Sequence, residues 1–160
     1  MNKSGKKSGA DYGAAIYEEK IHASFAVLAF LFFLMASLAL AFWAALGSAT
    51  GLISMAILIF VIVWFRQATA LTIRVTKGWL IIGPAAIERA FLASFAPLSA
   101  SEMRRIRGVD ADPAAYLQIR FWVKSGLKIA LRDPKDPTPY WLVSSHRVAE
   151  LVKALDPHQH

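Results

Sequence analysis

The sequence predicts an α+β membrane protein: an N-terminal transmembrane helical hairpin, then a small antiparallel β barrel or sandwich with a C-terminal amphipathic helix. Three observations predict it. No Asp, Glu, Lys or Arg occurs between Lys20 and Arg66. After Arg66 apolar residues recur with a period of two, the signature of half-buried strands. Near the end, Val148, Leu151, Val152 and Leu155 fall at i, i+3, i+4 and i+7, one face of a helix. The 160 residues thus divide into a basic cytoplasmic leader (1–22), the hairpin (23–65) and a cytoplasmic domain (66–160).

The leader begins MNKSGKKSGADYG, a small, polar and basic run that reads as disordered. Residues 23–46, ASFAVLAFLFFLMASLALAFWAAL, have Ser24 and Ser37 as their only polar side chains apart from the indole of Trp43. As a helix this run is roughly 36 Å long, enough to cross a hydrocarbon core of about 30 Å with some tilt. So few other residues cannot wrap it on all sides as a buried core helix, and it exceeds the apolar core of a signal peptide. The uncharged turn 47–51, GSATG, precedes LISMAILIFVIVWF, a shorter span of roughly 15–17 residues that its neighbour supports. Trp43 and Trp64 stand at opposite ends of the hairpin, as membrane-interface anchors do. Ser37, Ala41 and Ala45 recur every four residues as a small-residue stripe for close helix approach. Lys3, Lys6, Lys7 and Lys20 precede the hairpin, and Arg66, Arg74 and Lys77 follow it. The positive-inside rule therefore places both termini in the cytoplasm of a multi-pass cell-membrane protein.

In the domain, Leu71, Ile73 and Val75 alternate with Thr72, Arg74 and Thr76 as a strand. Lys77-Gly78 turns the chain, and Trp79–Ile82 is a second strand ended by Gly83-Pro84. One or two short strands fit residues 87–98. Ser99 to Glu102 has the form of a capping box, opening a short basic helix to Arg107 that Gly108 closes. Leu117–Val123 and the run from Leu127 to Leu131 read as a hairpin about Lys124-Ser125-Gly126. A proline-rich loop leads to a strand at Tyr140–Val143, and Ser144 or Ser145 caps the last helix. Pleckstrin-homology domains have this order of elements, and another α+β meander accommodates it equally.

The runs RGVDADPAAYLQIRFWV and DPKDPTPYWLVSS, with the helix that follows, resemble an actinobacterial family of two-helix membrane proteins, domain of unknown function 3093. The resemblance extends over nearly the whole chain, though a proline often stands where Phe121 is, and residues 88–96 depart from the pattern. It implies an anchored pleckstrin-homology-like module in a Gram-positive membrane, and it transfers no catalytic residues.

The chain has no cysteine, which excludes disulfides, a thiol nucleophile and thiolate metal sites. No phosphate-loop, nucleophile-elbow or HExxH motif occurs, so no enzyme, catalytic residue, metal or cofactor is expected. Asp110, Asp112, Asp133 and Asp136 are the only clustered carboxylates, and their prolines mark them as turn formers. His146 is expected at the surface or in a cap, and Trp79, Trp122 and Trp141 in the core. The formal charge is +7, and fourteen Lys/Arg stand against eight Asp/Glu from Arg66 onward. Arg104, Arg105 and Arg107, with Lys124 and Lys128, are the candidate lipid-surface or partner-binding set. Beyond the bilayer itself, the expected partner is a protein or a second copy; no nucleic acid or small-molecule substrate is indicated. Two functions follow: a membrane-tethered adaptor, or a sensor in which these cations read anionic headgroups.

Overall fold

The computed structural model describes residues 12–108, 110–133 and 137–156. It falls into two compact units, one formed by residues up to Ile21 together with those from Leu71 onward, the other by His22–Ala70.

The second unit is the helical hairpin, α1 (Phe25–Leu46) and α2 (Ser48–Ala68). Ser24 caps α1 by accepting from the Val27 N–H. The turn is shorter than the sequence suggests. Gly47 alone separates the helices at φ 88°, a conformation costly for a side chain, so α2 runs to 21 residues and is long enough by itself. Both helices are long and apolar enough to cross a membrane. The seam also differs from expectation. Met35, Ala39 and Phe42 face Ser54, Ile57 and Leu58, while Ser37, Ala41 and Ala45 are exposed on another side. Gly51 lets the helices close: a Cβ there would lie 2.6 Å from the Trp43 ring.

The first unit is α+β, with two open sheets and no closed barrel among the described residues. One sheet is a meander in the order β1 (Ala15–Ile21), β2 (Leu71–Thr76), β3 (Trp79–Ile82), β4 (Ala85–Glu88). The β1 strand corrects the disordered leader. Tyr17, Glu19 and Ile21 point inward, and Ile21 is the register partner of Leu71. Residues 1–11, with Lys3, Lys6 and Lys7, lie outside the described residues. The domain is therefore discontinuous in sequence and does not begin at residue 66. The whole hairpin is inserted between two paired strands.

After a 3₁₀ turn at Arg89–Phe91 comes the second sheet, in the order β5 (Leu92–Leu98), β7 (Gly126–Leu131), β8 (Tyr140–Ser144), β6 (Tyr116–Gln118). The expected 117–131 hairpin is absent. The second strand forms as β7, but of the expected Leu117–Val123 strand only the part in Tyr116–Gln118 does, and it pairs parallel to β8 instead of antiparallel to β7. Between β5 and β6 lies α3 (Ala100–Arg107), opened by the capping box: Ser99 and Glu102 exchange side-chain and backbone hydrogen bonds as expected. The Ser99 hydroxyl and N–H together hold the Glu102 carboxyl below its ordinary range.

The main core joins both sheets to α4 (Val148–Leu155) through Ile73, Leu80, Ile129, Val143, Leu151 and Leu155. The other face of the second sheet packs Leu98, Tyr140 and Leu142 against Met103 of α3. Buried from both sides, all five residues of β8 are inaccessible, which explains its unbroken YWLVS run.

Candidate functional site

Of the five predicted cations, Arg104, Arg105 and Arg107 lie on α3, Lys128 shares the sheet face that α3 covers, and Lys124 stands apart. Met103 anchors that helix on β7, where Gly126 makes room: a Cβ there would lie 2.7 Å from the Met103 sulfur and 2.5 Å from the Val143 carbonyl. Lys128, two residues further along β7, shares this face, with Nζ 4.2 Å from the centre of the Tyr140 ring. Arg104, Arg105 and Arg107 occupy the last turn of α3, where cations suit the helix dipole. Arg105 Nε donates to Asp110 at 2.6 Å, and Arg107 Nε to the Met103 carbonyl at 3.2 Å. Arg104 and Lys124 are exposed. Lys124 lies in the irregular stretch before β7, three positions after Phe121, which is 69% exposed and edge-on to Trp122 at 4.8 Å. In the hairpin unit, Trp43 packs on Gly51 near the turn, and Trp64 is exposed towards the far end of α2.

The remaining candidates scatter. Asp112 Oδ1 accepts from the Ala114 N–H at 2.9 Å as a local turn, and Asp110 is taken by Arg105. Asp136 lies outside the described residues. No His/Asp/Glu group able to hold a metal occurs among the described residues. Trp141 is a core residue, whereas Trp79 is half-buried with Tyr12 edge-on to it at 5.4 Å.

Two arrangements have no counterpart in the expected set. The first is centred on Glu19, a carboxylate only 4% exposed. Its Oε2 accepts from the Tyr17 hydroxyl at 2.8 Å and the Ser145 hydroxyl at 2.6 Å, and its Oε1 from the His146 N–H at 2.8 Å. Arg147 closes the group, donating to the Glu18 carbonyl at 2.8 Å and lying 5.0 Å from the Tyr17 ring. Burial, then the hydrogen bond and charge of Glu19, push the Tyr17 phenol above its ordinary range, against the opposing pull of Arg147. With both oxygens engaged, the carboxylate fastens β1 to the β8–α4 junction. Ser145 serves this clasp instead of capping α4, whose N-cap is Arg147 without a side-chain hydrogen bond.

The second is an open cleft of about 570 Å³ floored by Ile16, Leu92, Phe95 and Leu155, with Lys77 and Arg89 on its lining. Arg89 donates to the Thr76 carbonyl at 3.3 Å and the Leu155 carbonyl at 3.1 Å, meeting the negative end of α4.

A family model described as a protein of unknown function, DUF3093, matches residues 16–155. The chain belongs to this family. No curated protein and no solved structure matches it. The DUF3093 span runs from β1 to the last residue of α4, so it includes the hairpin, the Glu19 clasp and the cleft. The clasp had a signal in the sequence: Tyr17, Glu19 and Ile21 alternate with Ile16, Glu18 and Lys20. A glutamate in the inward register conceals that strand pattern. For Lys77 and Arg89 no local motif exists, since they stand twelve positions apart and only the meander brings them together.

Proposed function

We propose that this DUF3093 chain is a membrane-anchored, non-enzymatic adaptor that docks a protein partner along the edge strand β6. The observation that carries the reading is the position of Leu117 and Phe121, 44% and 69% exposed. Outside α1 and α2 they are the exposed large apolar side chains among the described residues, and both accompany an open sheet edge. Exposed apolar groups beside unpaired strand backbone are a template for adding a partner strand. Membrane insertion is supported by α1 and α2, whose large side chains are exposed nearly throughout and need an apolar solvent. Pairing of β1 with β2 supports a shared side for the two ends of the hairpin, and the flanking lysines and arginines support the cytoplasm as that side. Two open sheets and a C-terminal helix read as a pleckstrin-homology-like module, with the parallel β6 as an addition. The resemblance in the β6 and proline-loop runs supports an actinobacterial membrane as its setting.

A photo-crosslinking residue at 117 or 121 of the full chain, in cells of its native host, tests the docking edge. A discrete protein adduct at both positions, missing at Ser94 on β5, is the expected result. Protein adducts of equal yield at all three positions, or none, would refute the adaptor.

Phe121 also supports a second reading. It stands beside Arg120 and Lys124, and a wedge flanked by cations suits an anionic headgroup layer, where each nearby cation contributes about 1 kcal/mol. A fluorinated phenylalanine at 121 would then shift on moving from neutral to anionic nanodiscs, and high salt would reverse the shift. An unchanged resonance would exclude this reading.

A further inference from the structure

We infer that the cleft between Ile16 and Leu155 is a binding site for a small anionic amphiphile, a single alkyl chain bearing a phosphate or carboxylate. This goes beyond the adaptor reading and does not depend on it. The volume, about 570 Å³, is that of a ligand pocket. A smaller recess of about 170 Å³ shares Ile16 and Lys77 with it and lengthens the apolar path along β1. The lining divides into two chemistries. Ile16, Leu92, Phe95 and Leu155 offer an apolar floor, and Lys77 and Arg89 supply two positive charges; none of the described lining residues is acidic.

Neither cation has a carboxylate partner among the described residues. Lys77 sits exposed in the β2–β3 turn. Arg89 is half-buried and held in place by two backbone carbonyls, which leaves further N–H donors of its guanidinium for an oxyanion. Its bond to the Leu155 carbonyl also offsets the negative end of α4, which would otherwise repel an anion at this spot. A purely apolar ligand would leave both cations unanswered, and a bare anion would leave the floor wet. An amphiphile with a charged head satisfies both.

The test uses the full chain in neutral nanodiscs, with labelled leucine and isoleucine methyl groups read by NMR. Octyl phosphate is the probe, with inorganic phosphate and octyl glucoside as head-only and chain-only comparisons. Octyl phosphate is expected to shift the Ile16, Leu92 and Leu155 methyls saturably. Neither comparison should do so in the same concentration range. Lys77→Glu, at an exposed turn, should weaken the site about fivefold or more with the spectrum otherwise intact. Ala93→Trp should narrow the cleft and block it. Equal shifts from octyl glucoside would overturn the anionic head, and equal shifts from inorganic phosphate would overturn the chain. Octyl phosphate binding that survives both variants would overturn the site.

Discussion

At the residue scale, the side chain on which most depends is Glu19. Removing its carboxylate strands the His146 N–H and two hydroxyls in a nearly dry pocket, where each unsatisfied group costs about 1–3 kcal/mol. Glu19→Ala should therefore destabilise the α+β unit by about 2–4 kcal/mol in a denaturant titration followed by Trp141 fluorescence. Glu19→Gln should cost less, because the hydroxyls can turn to accept from the amide. Tyr17 adds a pH signature. Folding raises its pKa, so the native state holds the phenolic proton more tightly than the unfolded chain. Its contribution is fully present below the ordinary tyrosine pKa of about 10 and declines as pH rises beyond it. Tyr17→Phe should flatten that alkaline loss of stability. Both residues fall in a stretch whose composition reads as leader, because a buried carboxylate has the same letter as a solvated one. Gly126 is equally inconspicuous in the sequence. Gly126→Ala drives a methyl group into the Val143 carbonyl and Met103, and should cost about 1–3 kcal/mol by the same titration.

At the scale of elements, local patterns are legible where neighbours in sequence are neighbours in space. The β2–β3 turn, the Ser99 capping box and the apolar face of α4 all follow from residues a few positions apart. The expected 117–131 hairpin is absent because β6 finds its partner in β8, more than twenty positions away, and alternation cannot reveal a parallel pairing. The apolar helices show the complementary difficulty. In a run that is apolar all round, small residues occur on every side, so spacing does not identify the seam. Gly51 does, since only a residue without a side chain fits against the Trp43 ring. Gly51→Val should splay the hairpin. The cysteine-free chain allows this to be measured by pairing Ala39→Cys with Leu58→Cys, and oxidation of that pair should slow severalfold when valine is present. Adding Trp43→Ala should restore much of the rate.

At the scale of the molecule, the α+β unit is assembled from two separated pieces of chain. A fragment covering residues 66–160 lacks β1 and the Glu19 clasp, and should give the collapsed amide spectrum of an unfolded chain. Joining Ile21 to Leu71 through Asn-Gly, in place of residues 22–70, makes an ordinary two-residue β-hairpin of the same register. That shortened chain should give a dispersed amide spectrum. The boundary was illegible in the sequence because an abrupt change from apolar to mixed composition marks where the helices end, not where the surrounding fold begins.

The β1–β2 pairing also has a consequence for how the protein is made. With the hairpin in the membrane and both ends cytoplasmic, as proposed, synthesis delivers β1 to the cytoplasm first, and its partner emerges only after both apolar helices have left the ribosome. Until then Tyr17, Glu19 and Ile21 wait without a sheet. A chain whose second helix fails to return through the bilayer leaves β1 and β2 on opposite sides, and the core cannot close. In that proposed topology, completion of the fold reports on correct insertion, and a half-threaded chain presents an unpaired β1 to the cell's proteases.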